Sequence, residues 1–207
     1  FKGPQSVVFG PNSMAGLINI TSNDPTPYQT GNATISLNNN NGYLFGLNHS
    51  IPISKKIFFR SSLVKNTSDG FRTNNFFNVS NTNKKDETLF RIKLFLNPMN
   101  KLKIKLTVYR IDINNGYDVW TPDNNGYTTY SDFKGADSQI TNALAIRSNF
   151  VTPILSVPTN FLSISTFSTN DMQYSYDGDW GNPDFWKDNY GWYYNSPNYV
   201  FPWGFYD

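Results

Sequence analysis

The chain has 207 residues, of which 38% are hydrophobic, 17% aromatic and 15% charged, with a formal net charge of +2. So small a charge, with no basic run beyond Lys55-Lys56 and Lys84-Lys85, gives no footing for nucleic acid. Without cysteine there is no disulfide framework or thiolate metal site, and one histidine, His49, leaves no His-centred metal site or triad. No run of about 18 apolar residues is present, which excludes a transmembrane helix but not a transmembrane strand, for which about 9–11 alternating residues suffice. The space left by charge is filled by Asn, Ser, Thr and Tyr, which disfavour helix and favour strands and polar loops.

Residues 1–26 are Gly-rich and nearly uncharged. Gly3, Gly10 and Gly16 punctuate the short apolar pairs Val7-Val8 and Leu17-Ile18, a rhythm that suits tight turns between short strands. The segment has no basic stretch, apolar run and small-residue cleavage site, so it does not read as a signal peptide. From residue 31 onward the pattern changes to strict alternation. Residues 32–37 place Ala33, Ile35 and Leu37 on one face. The next run sets Tyr43, Phe45, Leu47, Ile51 and Ile53 against Gly46, Asn48 and Ser50. In 57–63, Ile57, Phe59 and Leu63 oppose Arg60 and Ser62. Residues 88–96 set Phe90, Ile92, Leu94 and Leu96 against Arg91 and Lys93, and 102–108 repeat the pattern with Lys103, Lys105 and Thr107 on the polar side. Residues 140–150 put Ile140, Leu144, Ile146 and Phe150 opposite Arg147 and Asn149, and 161–167 is a weaker seventh run.

Each run reads as a half-buried antiparallel strand. Alternation alone fits equally a soluble sandwich with one solvated face or a membrane barrel. The connections separate the two. Short turns at 54–56, 97–101 and 152–158 alternate with long polar, aromatic-rich loops at 67–87, 114–139 and from 177 onward. Segregation of loop length by parity is the pattern of an up-and-down outer-membrane barrel. The cations Arg60, Arg91, Lys93, Lys103, Lys105 and Arg147 all fall on the polar phase, where a wet lumen would accept them.

The opening segment, Lys2-Gly3-Pro4-Gln5 through Phe9-Gly10, then Ala15-Gly16-Leu17-Ile18-Asn19-Ile20-Thr21 and Asp24-Pro25, resembles the end of the plug domain in TonB-dependent outer-membrane receptors. That family typically reads Arg/Lys-Gly-Pro-Gln, an aromatic-Gly, then Ala-Gly-x-Ile-Asn-Ile before the first barrel strand. Asn115-Gly116-Tyr117-Asp118 through Asp137-x-Gln139, and Tyr174-Ser175-Tyr176-Asp177-Gly178-Asp179-Trp180, look like long-loop signatures of one branch of it. The resemblance implies an all-β fold: a transmembrane antiparallel up-and-down β-barrel fragment carrying the C-terminal piece of an internal plug domain. Residues 1–26 would be the plug end and 27–207 the N-terminal portion of the barrel, about seven of the family's roughly 22 strands. The TonB-contacting segment and most of the plug would lie outside this fragment.

What the resemblance implies for function is TonB-dependent active transport of a scarce ligand (ferric siderophore, cobalamin or saccharide-like) across the bacterial outer membrane. The partners it implies are TonB, the lipid bilayer and a small-molecule ligand such as a metal chelate. A passive porin or a β-rich surface adhesin is the alternative from another class. No nucleophile, base and orienting group come together in the sequence, so neither enzyme activity nor a cofactor or metal is expected. Tyr117, Trp120, Tyr127 and Trp180 are the candidate ligand-binding rings, aromatic loop residues suited to stacking. Lys2, Gln5, Arg60, Arg91 and Lys93 are candidate contacts between plug and barrel. Lys2 is expected to need a carboxylate or carbonyl partner in a partly enclosed lumen. Asp118 and Asp123 read either as acceptors for a hydroxylated ligand or, more simply, as turn caps.

Overall fold

The structure, a computed structural model, describes Lys2, Gly3, Gly16 and residues 20–118, 120–121, 123 and 125–190. The expected contact residue Gln5 and the apolar pairs at 7–8 and 17–18 lie outside the described residues.

Seven long strands form one antiparallel sheet in simple up-and-down order: β1 (Thr30–Asn38), β2 (Gly42–Ser54), β3 (Ile57–Ser68), β5 (Lys85–Met99), β6 (Leu102–Tyr117), β8 (Gly135–Ile154) and β9 (Val157–Ser175). Two further strands of two residues each, β4 (Thr73–Asn74) and β7 (Thr128–Thr129), pair in parallel with each other. One helix, α1 (Pro183–Tyr190), follows the last strand. All seven runs expected from alternation are strands, and several are longer than the alternation indicated. The first and second long connections therefore shorten to residues 69–84 and 118–134.

Turn chemistry explains the tight end. β8 and β9 are joined by Leu155 and Ser156, both at positive φ (48° and 65°), the pair of left-handed residues that a two-residue type I′ hairpin demands. β2 and β3 are joined by Lys55-Lys56, and β5 and β6 by Asn100-Lys101. The opposite end carries residues 69–84, 118–134 and 176–190, together with one short turn at 39–41, where Asn40 and Asn41 take positive φ. Asn tolerates that region better than most side chains.

Register decides the faces. Directly paired residues in an antiparallel sheet point the same way, and the rows run Phe59–Leu94–Leu106–Ile146 and His49–Ser61–Ile92–Val108–Leu144–Phe167 across the sheet. The facing rows on the other side include Ser50–Arg60–Lys93–Thr107 and Phe95–Lys105–Arg147–Ile164. The apolar and cationic sets do not mix. The apolar face is uncovered: Ile35, Leu47, Ile146, Phe161 and Phe167 are all exposed. At its loop end this face turns polar, and there its charges are paired, Lys65 with Asp86 and Arg110 with Asp112. Between these limits lies a hydrocarbon-compatible band. His49 sits on this face, its ring within 3.3 Å of the Gln29 amide.

In a bilayer, a cation on the apolar face would cost about 2–4 kcal/mol near the midplane. Leu106→Arg is expected to destabilise the protein by that amount in refolding from urea into lipid vesicles, while Thr166→Arg, on the opposite face, stays within about 1 kcal/mol of wild type.

Candidate functional site

Two regions on the cationic, inward side bring the predicted residues together. The first is the strip where residues 20–29 cross the sheet. Lys93 Nζ donates to the Ser22 carbonyl at 2.7 Å and reaches the Asp24 carboxylate at 3.3 Å, and Lys105 closes on the other oxygen of Asp24. One carboxylate thus bridges lysines from adjacent strands. Partial burial works against ionisation of Asp24, but the hydrogen bonds and charges of Lys105 and Lys93 outweigh it and hold the carboxyl below its ordinary range. Two residues on, the Thr26 N–H and hydroxyl both bond the hydroxyl of Ser50 (2.8 and 2.9 Å), which is fully buried beneath the segment.

Of the expected contact residues, Lys93 touches this segment directly, and Arg60 and Arg91 line a cavity of about 250 Å³ with Thr21, Ser22 and Asn23. The Lys2 side chain is exposed and its backbone bridges Gly16, and among the described residues it makes no ion pair. The charged contact comes instead from Asp24, Lys105 and, through its hydroxyl, Ser50. The Asp24-Pro25 pair was visible in sequence, but its partners are 69 and 81 residues away.

The second region is the long-loop end. Tyr117 closes β6 on the inward face, its ring edge-on to Tyr174 at 4.7 Å and tilted against Tyr176 at 6.0 Å, with the Tyr174 hydroxyl donating to that of Tyr117. Trp120 lies against Trp180, centroids 6.1 Å apart, and beside the Tyr117 hydroxyl. Tyr117, Trp120 and Trp180 therefore share one aromatic array, with both indoles substantially exposed. Tyr127 is elsewhere: exposed, and edge-on to Phe71 at 6.2 Å. The array missed in sequence is Tyr174 and Tyr176, which β9 brings opposite the end of β6 through β8.

The loops beneath these rings are locked by a polar core. Asn74, buried to 1% exposure, donates to the Asp118 carboxylate (3.2 Å) and the Ser131 carbonyl (2.9 Å) and accepts from Phe77 N–H (2.9 Å). Thr129, fully buried, donates to the same Asp118 oxygen. Asp118 is thus neither a local turn cap nor open to a ligand; it ties two loops together through the β4–β7 pair. Asp123 does cap its turn, accepting from Thr121, Asn125 N–H and the Tyr130 hydroxyl. Gly116 is required here because a Cβ would meet the Thr82 carbonyl oxygen at 2.1 Å.

Helix α1 adds a third loop to the assembly. Asn182 caps it, accepting from Phe185 N–H at 3.0 Å while donating to the Tyr130 carbonyl at 2.6 Å, and Pro183 occupies the first helical position. Phe185 stacks on Tyr130 at 4.2 Å, and Phe185 and Trp186 are buried. Asp132 N–H donates to Asp177 at 3.2 Å. Burial first, then the Asp179 charge, pushes the Asp177 carboxyl up to about 7, with Asp132 adding to the repulsion. Among the described residues no group of acidic or His side chains could hold a metal ion.

The raised Asp177 pKa sets a sign. The folded loops hold this proton more tightly than the unfolded chain, so their stability rises as pH falls from about 7 toward 4 and is lost again on the way back up. Loop opening followed by the fluorescence of Trp180 and Trp186 is expected to show that slope in wild type and a much flatter profile in Asp177→Asn. Asn74→Ala takes one of two donors from the buried Asp118 carboxylate and the Asn74 donor from the Ser131 carbonyl, at about 1–3 kcal/mol. Faster proteolytic nicking at 69–84 and 118–134, with the barrel strands intact, is the expected outcome.

No protein-family model matches the sequence. The structure is similar to the ferric yersiniabactin uptake receptor FyuA from Yersinia pestis, with a TM-score of 0.74 and 18% identity over 86% of this chain and 28% of that one. The chain spans little more than a quarter of that receptor's length. At this identity the likeness is one of fold: the described residues have the architecture of one stretch of a TonB-dependent receptor, an open section of antiparallel barrel wall with an irregular segment laid along its inner face.

Proposed function

We propose that this chain is part of a TonB-dependent receptor that carries a scarce ligand across the bacterial outer membrane. In this reading residues 1–26 are the end of the plug and 27–207 belong to the barrel and its outer loops. The observation that carries it is the segment at 21–26, bonded through Asp24 and Thr26 to the inward face of a sheet whose other face is an apolar band. A passive pore has no use for a segment fastened across its lumen, and an adhesin sandwich would bury the apolar face that is open here. The fold shared with a ferric siderophore receptor supports the same reading.

Ligand enters from the long-loop side, where Tyr117, Trp120 and Trp180 present ring faces on a scaffold held by the Asn74–Asp118 lock. A ferric siderophore, cobalamin or a saccharide would each find contact area there at low entropic cost. Tyr127, on a separate exposed ring pair, serves as a peripheral contact. TonB acts on the plug from the periplasmic side through a segment outside this chain.

Uptake by cells expressing the full-length protein, with and without TonB, tests the transport reading on iron chelates, cobalamin and sugars in turn. The double variant Tyr117→Ala/Trp120→Ala is expected to reduce uptake at limiting ligand at equal membrane levels. Loss of a stacked ring weakens binding by about 1–3 kcal/mol, by analogy with base stacking. Wild-type uptake by the double variant assigns these rings to loop packing instead.

A further inference from the structure

Among the described residues the inward face carries more cations than acids. Along the strands it holds Arg60, Arg91, Lys93, Lys103, Lys105 and Arg147, and the acids that share this face, Glu87 and Asp137, stand at the loop end. Those two are already engaged by amides: Asn66 and Asn115 donate to Glu87, and Asn115 to Asp137. Glu87 is four residues along the strand from Arg91 and six from Lys93, roughly 13 and 20 Å at strand rise, beyond a Debye length. Among the described residues the counter-charge beside these cations is Asp24, and it is held by Lys93 and Lys105. Residues 1–23 contain no Asp or Glu.

Arg60, Arg91 and Lys93 nevertheless converge. Arg60 pairs directly across the ladder with Lys93, Arg91 with Ser62, and all four line the 250 Å³ cavity together with Asn48. Ser62 donates its hydroxyl proton to the Asn48 side-chain oxygen at 2.5 Å, which leaves the Asn48 NH₂ as a donor. The segment 21–23 closes one side, and the Ser22 carbonyl that would oppose an anion is occupied by Lys93. The cavity therefore offers two guanidiniums and an amide, beside an ammonium already shared with Ser22 and Asp24, and its lining holds no carboxylate. Its volume is below the roughly 300–1,000 Å³ of pockets for drug-sized ligands. It suits one small oxyanion with its waters. Guanidinium pairs bind planar or tetrahedral oxyanions bidentately, the strongest hydrogen bonds available to them.

We propose that Arg60, Arg91, Lys93 and Asn48 form a binding site for the oxyanion of a small solute, a phosphate or carboxylate group, on the inward wall beneath residues 21–23. The site rests on the reading of this face as a lumen. It is separate from the aromatic array at the loop end, so a solute can occupy it without displacing ligand there.

The test is titration calorimetry on the full-length protein purified in detergent at low ionic strength, with inorganic phosphate and citrate as separate probes. Saturable binding of at least one is expected, and the tighter of the two identifies a phosphoryl or a carboxylate group. Arg60→Gln/Arg91→Gln should weaken it at least tenfold, whereas Arg60→Lys/Arg91→Lys, which keeps the charge, loses less. Lys103→Gln, on the same face but outside the cavity, should bind as wild type. Mobility of unheated samples on gels verifies that each variant is a folded barrel. No saturable binding of either probe to folded wild type, or equal affinity in the Gln pair, overturns the site. The measurement needs no TonB, so failure here leaves the uptake result standing, and failed uptake leaves the binding result standing.

Discussion

A strand in hydrocarbon can send its backbone N–H and C=O groups only to neighbouring strands, and its outward side chains only into lipid. In the proposed membrane reading those two requirements act on the same residues here. Continuous pairing from β1 to β9 satisfies the first, and the rows through Phe59, Leu94, Leu106 and Ile146 satisfy the second. They also pin the register. A slip of one residue in β5 would carry Arg91 and Lys93 into the lipid band and Ile92 and Leu94 into the lumen, a penalty paid at every row. The paired charges at the loop end, Lys65 with Asp86 and Arg110 with Asp112, mark where the hydrocarbon requirement stops.

With apolar burial satisfied on one face, the other is free to be polar, and it is graded. Near the loops its acids are bonded to amides; further down it is cationic, relieved locally by Asp24. Asp24 and Ser50 fasten residues 22–26 at two points on different strands, so the segment follows the wall. Movement of anything upstream of it must pivot before Ser22 or break these bonds. The same wall thus provides both an anchor for the segment and a positive field beside it.

The loops repeat the logic of a core on a smaller scale and with polar atoms. Asn74, Thr129 and Asp118 are buried and mutually bonded, so the loops at 69–84 and 118–134 are held as one body without an apolar interior. Phe185 and Trp186 of α1 supply the apolar contribution from the third loop. Rings mounted on such a support keep their orientation, which in the proposed transport reading lowers the cost of ordering them around a ligand. The acidic group around Asp177 is the weak point of this assembly, because three carboxylates share a partly buried space.

Much of this was legible in the residues themselves. Two-residue periodicity placed all seven long strands and assigned Arg60, Lys93, Ile92 and Leu106 to their faces, because side-chain direction in a strand depends only on parity. Asn182-Pro183 is a readable helix start that polarity of the surrounding loop obscured. Strand ends such as Gly135 and Tyr117 lay beyond the alternation because neither face is lipid-exposed there. What the sequence could not decide were contacts between elements far apart in the chain. Asp24 with Lys93 and Lys105, Asn74 with Asp118 and Ser131, and Tyr117 with Tyr174 each join residues 44 or more positions apart. Periodicity is a property of one strand against its two environments, lipid and water. Which polar residue meets which depends on the register of several strands at once and on where the loops fold back, and only the assembled sheet determines that.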